Sequence, residues 1–333
     1  MGAALAECPG LRQALPGEFT RRAFANGRID LAQAESLGDL LAAETELQRQ
    51  VALAGVGGIL SAQVAAWRAR VLALSAAVEA VLDFGDEDDV AELPVTFGAE
   101  RAELRRELLD CLSHPRADRL RDGVRVVIAG PPNSGKSSLF NALIGEGAAI
   151  VSSVAGTTRD VIERPVAFGG VPFVLVDTAG LRDEAAEEIE AIGIVRAQWQ
   201  VERADIVLWL GAEGGGPNGA VEVQARCDDR DAPQKANPDY VVSSITKEGL
   251  KSLEQGLVTR AAGLLPKPGV TTVNARQAEL LQEAAHALED NSDDPLVTAE
   301  SLRTARHSFD KLLGHSGVED MLDTLFGRFC IGK

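Results

Sequence analysis

Gly130-Pro131-Pro132-Asn133-Ser134-Gly135-Lys136-Ser137 determines the architecture of this chain more than any other segment. The preceding residues 124–129 are rich in β-branched side chains and have the length of a strand, and residues 139–144 have the composition of a helix. A strand, the pattern G-x-x-x-x-G-K-[ST] and a helix, in that order, define a P-loop. Backbone N–H groups of such a loop and of the helix N-terminus point at phosphate oxygens. We therefore expect this segment to bind the phosphates of a nucleotide.

Two glycines and two polar side chains carry the chemistry of this loop. Gly130 and Gly135 let the backbone approach the phosphates, Lys136 reaches the β- and γ-phosphate oxygens, and Ser137 offers a hydroxyl ligand to Mg²⁺. A chance glycine–serine turn is the alternative, but the flanking strand and helix disfavour it. The other residues expected at the nucleotide here are Asn133, Ser134 and Ser138.

Length and composition favour a soluble globular protein of two or three domains, since the 333 residues are 45% apolar and 25% charged. The net charge of −17 argues against a broad basic face for nucleic acid, so any RNA contact would be local or supplied by a partner. Four scattered cysteines without a C-x-x-C pair indicate neither a zinc site nor a disulfide framework. We find no uncharged apolar run of membrane-spanning length and no signal peptide, so we expect a cytoplasmic protein without a membrane partner.

The chain divides into helical segments on either side of a region of alternating strands and helices. Residues 1–29 are expected to be turn-like and irregular. Residues 30–118 and 269–333 are expected to form one all-α domain. Residues 119–268 are expected to form an α/β domain with a mostly parallel sheet. Its further strands are predicted at 173–176, 204–210, 221–223 and 240–242.

The helical segments carry apolar side chains at helical spacing. Asp30-Leu31-Ala32-Gln33 resembles a capping box, and a second, long helical region is expected over residues 45–81. Gly55, Gly57 and Gly58 could kink that helix or allow close packing. Further helices are predicted at 97–112, 275–288, 299–313 and 318–329. The side chains expected on the buried faces of the first two helices are Leu31, Ala34, Leu37, Leu40, Leu41, Val51, Leu60, Val64, Trp67, Val71 and Leu74.

Two motifs follow the P-loop in the order of nucleotide switch segments. Gly156-Thr157-Thr158-Arg159-Asp160 lies in a connection, where a threonine can complete the Mg²⁺ shell when a γ-phosphate is present. Taken alone, it could also be an ordinary polar turn. Asp177-Thr178-Ala179-Gly180 ends a predicted strand, so that Asp177 can hold Mg²⁺ through water and the Gly180 amide can sense the γ-phosphate. Leu181 stands where many GTPases have a glutamine that orients the attacking water, so another group must do this.

The elements that recognise guanine are altered. Where Asn-Lys-x-Asp is expected after the strand at 221–223, the chain has Ala225-Arg226-Cys227-Asp228. Asp228 can still accept hydrogen bonds from guanine N1 and N2, so we expect specificity for guanine to survive and affinity to be weakened. Ser243-Ser244-Ile245 occupies the place of the usual Ser-Ala-Lys loop.

The chain resembles the MnmE (TrmE) family of tRNA modification GTPases over nearly its whole length. The resemblance lies in the motifs above and in three further segments: Pro16 to Phe24, Asp30 to Glu35, and the C-terminal Phe329-Cys330-Ile331-Gly332-Lys333. The Cys-Ile-Gly-Lys ending is highly specific to the family. The resemblance implies a P-loop GTPase domain inserted into an all-α domain. Family members begin with a folate-binding, dimerising domain of about a hundred residues, so we expect that it is largely missing here and that residues 1–29 are its remnant.

The resemblance also implies roles for residues of the two switch segments. Ser137 and Thr158 would hold Mg²⁺, and Glu190 would orient the attacking water, although a solvated acidic helix end is the alternative for Glu190. A K⁺ ion would neutralise charge that develops during hydrolysis. The residues implied as its ligands are Asn133, Ser152, Val154 and Thr157. The remaining residues implied at GTP are Ser153, Ala155, Gly156, Asp177, Thr178, Ala179, Gly180, Asp228, Ser243 and Ser244.

A folate cofactor and macromolecular partners follow from the same resemblance. Arg28 replaces a lysine that approaches 5-formyl- or methylene-tetrahydrofolate in the family, and Lys333 matches the other; Cys330 is either a reactive thiol or a buried one. Family members form homodimers and, with the flavin-dependent subunit MnmG (GidA), add an aminomethyl or carboxymethylaminomethyl group to C5 of the wobble uridine of tRNA. A ribosome-assembly GTPase of the Era or EngA kind, and a GTP-binding protein without modification activity, are the alternatives.

Overall fold

The computed structural model describes residues 11–84, 92–149, 162–178, 198–289, 292 and 294–316. The chain folds into two compact units. The helical unit comprises Met1–Ala43, Arg49–Ala117 and Pro266–Lys333, and the α/β unit comprises Glu44–Gln48 and Asp118–Leu265. The sheet thus belongs to a unit inserted into the sequence of an all-α unit, which confirms the predicted fold class.

Helices and strands are numbered here in chain order over the described residues. They are α1 (Glu18–Ala25), α2 (Leu31–Leu41), α3 (Glu46–Val56), α4 (Ile59–Phe84), α5 (Phe97–Ser113), α6 (Asp118–Asp122), β1 (Val124–Ala129), α7 (Lys136–Glu146), β2 (Ala148–Ala149), β3 (Ile162–Phe168), β4 (Val171–Asp177), β5 (Ile206–Trp209), β6 (Val221–Gln224), β7 (Tyr240–Val241), α8 (Leu250–Ala261), α9 (Ala275–Ala287) and α10 (Pro295–Leu313).

A seven-stranded sheet forms the core of the α/β unit, with the order β2-β3-β4-β1-β5-β6-β7. Neighbouring strands from β4 to β7 run parallel, whereas β2 and β3 form an antiparallel edge. The central strand β1 has the predicted bounds, and its side chains Val126, Val127 and Ile128 are fully buried. A strand buried on both faces needs a continuous apolar run, and residues 126–129 of β1 provide one, whereas Arg125 near its start forms an ion pair with Glu163.

Sequence patterns predicted β4, at 173–176, but neither β2 nor β3, which forms a hairpin with β4. Gly169-Gly170 forms the two-residue turn of this hairpin, and Phe168 pairs with Val171 across it. Two glycines between apolar runs are a typical hairpin signal. Pro165 interrupts the strand pattern of β3, because proline lacks the N–H that a central strand needs.

Helices α4, α5, α9 and α10 supply most of the core of the helical unit. Trp67 packs against Phe309, with ring centroids 6.3 Å apart. The Glu35 carboxylate accepts hydrogen bonds from the Arg276 guanidinium and the Gln277 amide, which tie α2 to α9. The predicted capping box at the start of α2 is confirmed, since Gln33 N donates to Asp30 Oδ1 at 2.8 Å and Asp30 N donates to Gln33 Oε1 at 3.1 Å. The predicted buried side chains that the structure confirms are Leu31, Ala34, Val51, Leu60, Val64, Trp67, Val71 and Leu74.

The long helical region predicted over residues 45–81 is confirmed, with an interruption at its glycines. It is divided into α3 and α4, and Gly58 lies between them with φ 81°, a conformation that ends a regular helix. Gly55 serves close packing instead, because a Cβ built on it would lie 2.3 Å from Ser36 Oγ. Leu41 is 43% exposed at the last residue of α2, so its predicted place on the buried face is wrong.

The expected irregular conformation of residues 1–29 is wrong for part of that range. Residues Glu18–Ala25 form the helix α1, which Gly17 precedes in a left-handed conformation with φ 67°. The Glu18 carboxylate accepts a hydrogen bond from Leu15 N and pairs with Arg12, and these contacts hold the first turn. Helix α10 begins at Pro295, four residues before its predicted start, because Asp294 caps it there. The helix predicted at 318–329 lies outside the described residues.

Among the described residues, the segment Glu46–Asp83 is long and apolar enough to cross a membrane by length and composition, although the sequence has no uncharged apolar run of that length. It comprises α3 and most of α4. Val64, Val71 and Val78 of this segment are fully buried in the helical core. A core helix of a water-soluble protein passes the same test, so the signal is weak evidence for a membrane span.

Candidate functional site

Loops that carry the predicted motifs leave one edge of the sheet. The P-loop follows β1, Thr178 follows β4, the segment from Ala225 follows β6 and Ser243 lies just beyond β7. Since these four strands are parallel, their carboxyl ends lie at the same edge. Ligands of α/β proteins bind at that edge. The fold therefore places the described parts of the predicted site at one end of the sheet.

The P-loop has the backbone conformation of a phosphate cradle. Gly130 has φ 154° and Gly135 has φ 93°, and Asn133 adopts φ 60° although it carries a side chain. A Cβ on Gly130 would lie 3.0 Å from Ser134 Oγ and 3.2 Å from Gly211 N, so this position has little room for a side chain. Gly135 is the N-cap of α7 and offers no side-chain acceptor, which leaves the N–H groups of the first turn available to an anion.

The side chains of the loop differ in exposure. Asn133, Ser137 and Ser138 are exposed, whereas Lys136 is 6% exposed and its Nζ donates to Pro131 O at 2.7 Å. The Ser134 hydroxyl oxygen is buried and has no hydrogen-bond partner within the described part of the chain. A cavity of about 910 Å³ borders Lys136 and is lined on its other sides by Thr178, Trp209 and Glu202, among others.

Asp177 ends β4 and pairs in register with Ile128, the residue before the last one of β1. The Asp177 side chain is 2% exposed. The next residue, Thr178, is also buried, and its Oγ1 donates to Ile128 O at 2.8 Å. A carboxylate beside the P-loop strand and the Ser137 hydroxyl are hard oxygen donors of the kind that Mg²⁺ prefers, so these residues fit that ion. Among the described residues, no group of three His, Cys, Asp or Glu side chains could hold a metal by itself.

The loop with the altered guanine motif, Ala225 to Asp228, is called the base loop here, and it packs against the P-loop. A Cβ on Gly135 would lie 3.7 Å from both Ala225 Cβ and Arg226 Cγ. Arg226 adopts φ 58°, and its guanidinium forms an ion pair with Asp229. Cys227 N donates to Val242 O at 3.2 Å, so the loop is held against the end of β7. The Asp228 side chain is exposed, so its carboxylate is accessible for hydrogen bonds to a base.

Ser243 is fully buried and organises the neighbouring loop. Its Oγ accepts hydrogen bonds from Ile245 N at 3.2 Å and from Thr246 N at 3.0 Å. Its own N–H donates to Glu248 O at 3.0 Å. Ser244 is half-buried beside it. Ser243 therefore shapes the loop through its side chain, and only the neighbouring residues are open to a ligand.

Several predicted site residues lie outside the described residues. They are Ser152, Ser153, Val154, Ala155, Gly156, Thr157, Thr158, Ala179, Gly180, Glu190, Cys330 and Lys333. Of the two predicted folate contacts, the structure describes Arg28, whose side chain is exposed near the end of α1. One exposed guanidinium does not by itself make a folate site, and the GTP hydrolysis proposed below does not depend on folate.

Comparison with known proteins identifies the family. The family model of the MnmE helical domain matches residues 31–330. The tRNA modification GTPase MnmE of Erythrobacter litoralis is 59% identical over 331 residues, which are 99% of this chain and 78% of that protein. The chain belongs to the MnmE family. The MnmE protein of Novosphingobium aromaticivorans is 54% identical over 344 residues and is covered to 79%.

Solved structures of other GTPases are similar to parts of this MnmE family member. The G domain of the T. maritima FeoB iron transporter covers 41% of this chain and 98% of its own, at 25% identity and a TM-score of 0.30. Era of Aquifex aeolicus covers 52% of this chain and 70% of its own, at 22% identity and a TM-score of 0.31. With such low TM-scores, the assignment depends on the MnmE relatives alone.

Proposed function

We propose that this chain hydrolyses GTP and that the hydrolysis serves the modification of tRNA. The observation that carries the proposal is the P-loop geometry between β1 and α7, in a chain 59% identical to a tRNA modification GTPase. The uncapped first turn of α7 supplies N–H donors for the phosphates. Lys136 Nζ would exchange its bond to Pro131 O for a phosphate oxygen, which is a stronger, charge-assisted contact.

The Mg²⁺ ion would be held by Ser137 and, through water, by Asp177, with Thr158 as a further ligand. When bound there, Mg²⁺ would neutralise negative charge on the phosphates. We assign K⁺ to Asn133, Ser152, Val154 and Thr157, and the exposed Asn133 side chain at its positive φ suits this role. Asp177 is fixed beside β1 by the bond between Thr178 and Ile128, so the carboxylate does not have to be ordered when the nucleotide binds.

Glu190 is proposed to orient the attacking water, because Leu181 has no polar atom for this task. The variant Glu190→Ala should lower kcat for GTP and leave GTP binding nearly intact, since the role is positioning of water rather than binding. Glu190→Gln is the matched control, because its amide keeps an oxygen acceptor without the charge. A Glu190→Ala variant that binds GTP poorly but hydrolyses bound GTP at the wild-type rate would contradict the assignment.

Base recognition is assigned to Asp228, which accepts from guanine N1–H and N2–H₂. Adenine has no proton at N1, so the carboxylate would be left facing a lone pair. Such a mismatch costs about a few kcal/mol. Specificity for GTP over ATP is therefore expected even though Ala225 replaces the asparagine of the usual motif.

The larger assembly is proposed from family membership. It comprises a homodimer in the cytoplasm, the flavin-dependent subunit MnmG, a tetrahydrofolate cofactor and tRNA, whose wobble uridine is modified at C5. Incubation of the chain with that subunit, unmodified tRNA, methylene-tetrahydrofolate as the one-carbon donor and ammonium as the amine donor, followed by mass spectrometry of the nucleosides, tests this. We expect modified wobble uridine with GTP and none with a non-hydrolysable GTP analogue. Hydrolysis without any modified uridine would contradict the tRNA half of the proposal, and absence of hydrolysis would contradict both halves.

A further inference from the structure

The base loop lacks the side chain that would fasten it to its surroundings. Position 225 is alanine, whose methyl group makes no hydrogen bond. Arg226 adopts a left-handed conformation, φ 58°, which a residue with a Cβ rarely takes without support from its neighbours. Because this loop carries Asp228, its position decides how well that carboxylate meets a base. The bond from Cys227 N to Val242 O holds the middle of the loop, so another group must hold its start at Ala225.

Gln224 is the buried residue that immediately precedes the loop. Its side-chain Nε2 donates to Ala225 O at 3.0 Å and to Pro233 O at 2.9 Å. Its Oε1 accepts from Lys235 N at 2.7 Å. Only 8% of the residue is exposed, so water does not compete well for these bonds. The amide thus uses both of its N–H donors and its oxygen to connect the base loop with the segment that returns towards β7.

The returning segment is itself fixed to the sheet. Lys235 Nζ donates to Trp209 O, the last residue of β5, at 2.7 Å. The same ammonium group forms an ion pair with Glu222 of β6, and both side chains are largely buried. Gln224 therefore links the base loop to a segment that is anchored on two strands of the parallel sheet. At position 225 this connection involves the backbone carbonyl oxygen and no side-chain atom.

We propose that Gln224 is the positioning residue of the base loop and that its amide replaces the missing asparagine side chain at position 225. This inference rests on the proposed GTP function. Gln224 acts through the backbone of Ala225 and does not itself touch the base. Through that backbone it sets where Asp228 stands, and with it the affinity for guanine relative to adenine.

The variant Gln224→Met, which keeps the length of the side chain and removes all three hydrogen bonds, tests the proposal. Dissociation constants for GDP and ADP are measured by calorimetry. We expect GDP binding to weaken about tenfold or more and ADP binding to stay unchanged, so that the preference for GDP falls. Gln277→Met is the matched control: Gln277 is a buried glutamine of the helical unit that accepts from Asn274 N and donates to Glu35. The Gln277→Met variant should have a lower thermal stability than the wild-type chain and the same preference for GDP over ADP.

The outcomes for the Gln224 variants separate the positioning role from the GTP function. A folded Gln224→Met variant with the wild-type preference for GDP overturns the positioning role and leaves the GTP function intact. If Gln224→Met does not fold, Gln224→Glu, which keeps an acceptor for Lys235 N but loses both N–H donors, is measured instead. If neither variant folds, the amide serves folding and the proposal is rejected. A wild-type chain without any preference for GDP over ADP overturns the proposed base recognition and this inference together.

Discussion

Thr178 Oγ1 donates a hydrogen bond of 2.8 Å to the backbone carbonyl oxygen of Ile128, and this bond joins the end of β4 to β1 one residue after Asp177. Both residues are buried, so the bond is shielded from water. It fixes the residue next to the proposed Mg²⁺ carboxylate against the strand that leads into the P-loop. Positioning of this kind lowers the cost of ordering a site when its ligand arrives.

Replacement of Thr178 by valine should therefore destabilise the α/β unit. The shape of the side chain is retained and one buried hydrogen bond is lost, which costs about 1 kcal/mol of unfolding free energy. Thr178→Ser is the control, because it keeps the hydroxyl. The unfolding free energies of both variants are measured by urea denaturation, followed by tryptophan fluorescence. A valine variant as stable as the wild-type chain would show that the bond contributes nothing.

Gly55→Ala should destabilise the helical unit. A Cβ at this position would lie 2.3 Å from Ser36 Oγ and 2.8 Å from Ser36 Cβ, and Ser36 Oγ is already bonded to Ala32 O at 2.9 Å. Relief of such a clash needs a shift of α2 or α3, which costs about 1–3 kcal/mol. Gly98→Ala in α5 is the matched control, because a Cβ there meets nothing within 4 Å. Thermal unfolding should show a lower melting temperature for Gly55→Ala and an unchanged one for Gly98→Ala.

The Cys111 thiol should be unreactive in the folded protein. Burial, and next the charge of Asp110, raise its pKa to about 11. Alkylation by iodoacetamide, measured on the peptide that contains Cys111, should be slow at pH 8 and become fast in urea. Because the folded state prefers the protonated thiol, unfolding free energy should also fall as the pH rises through about 9 to 11. Equally fast alkylation in the folded and unfolded protein would contradict the burial.

Asn133→Ala should remove the dependence of GTP hydrolysis on K⁺. The wild-type chain is expected to hydrolyse GTP much faster in K⁺ than in Na⁺, because loss of one contact to transition-state charge costs about 3 kcal/mol, roughly a hundredfold in rate. In Asn133→Ala the rates in the two salts should be equal and slow. Asn26→Ala, at the end of α1, is the control and should keep the K⁺ effect. Equal wild-type rates in both salts would remove K⁺ from the mechanism.

Local patterns predicted the strands from β4 to β7 in the sheet and missed β2 and β3 at its other edge. The strand β1, the P-loop and α7 follow from a contiguous apolar run and a glycine-containing motif, which depend on nothing distant in sequence. The strand β3 was missed because Pro165 breaks its pattern, although the sheet tolerates proline there in an antiparallel strand near the edge. Helix α1 was missed because Gly17, which precedes it, is also a common turn residue.

The support of the base loop could not be predicted from sequence. Ala225 and Asp228 are visible as a departure from a known motif, whereas the partners of Gln224 are backbone atoms at positions 233 and 235. Bonds from a side chain to backbone atoms leave no residue pattern, because almost any residue supplies the same carbonyl or N–H. The close approach of Gly55 to Ser36 is of the same kind, since it depends on how two helices cross.

Release of inorganic phosphate from GTP and from ATP, by the purified chain in Mg²⁺ and KCl, tests most directly whether this is a GTP hydrolase. Lys136→Met provides the matched inactive variant, because it keeps the length of the side chain and removes the charge that would reach the phosphates. We predict rapid release from GTP, release from ATP slower by about a hundredfold or more, and almost none with Lys136→Met. Equal rates with GTP and ATP, or full activity of Lys136→Met, would contradict the account.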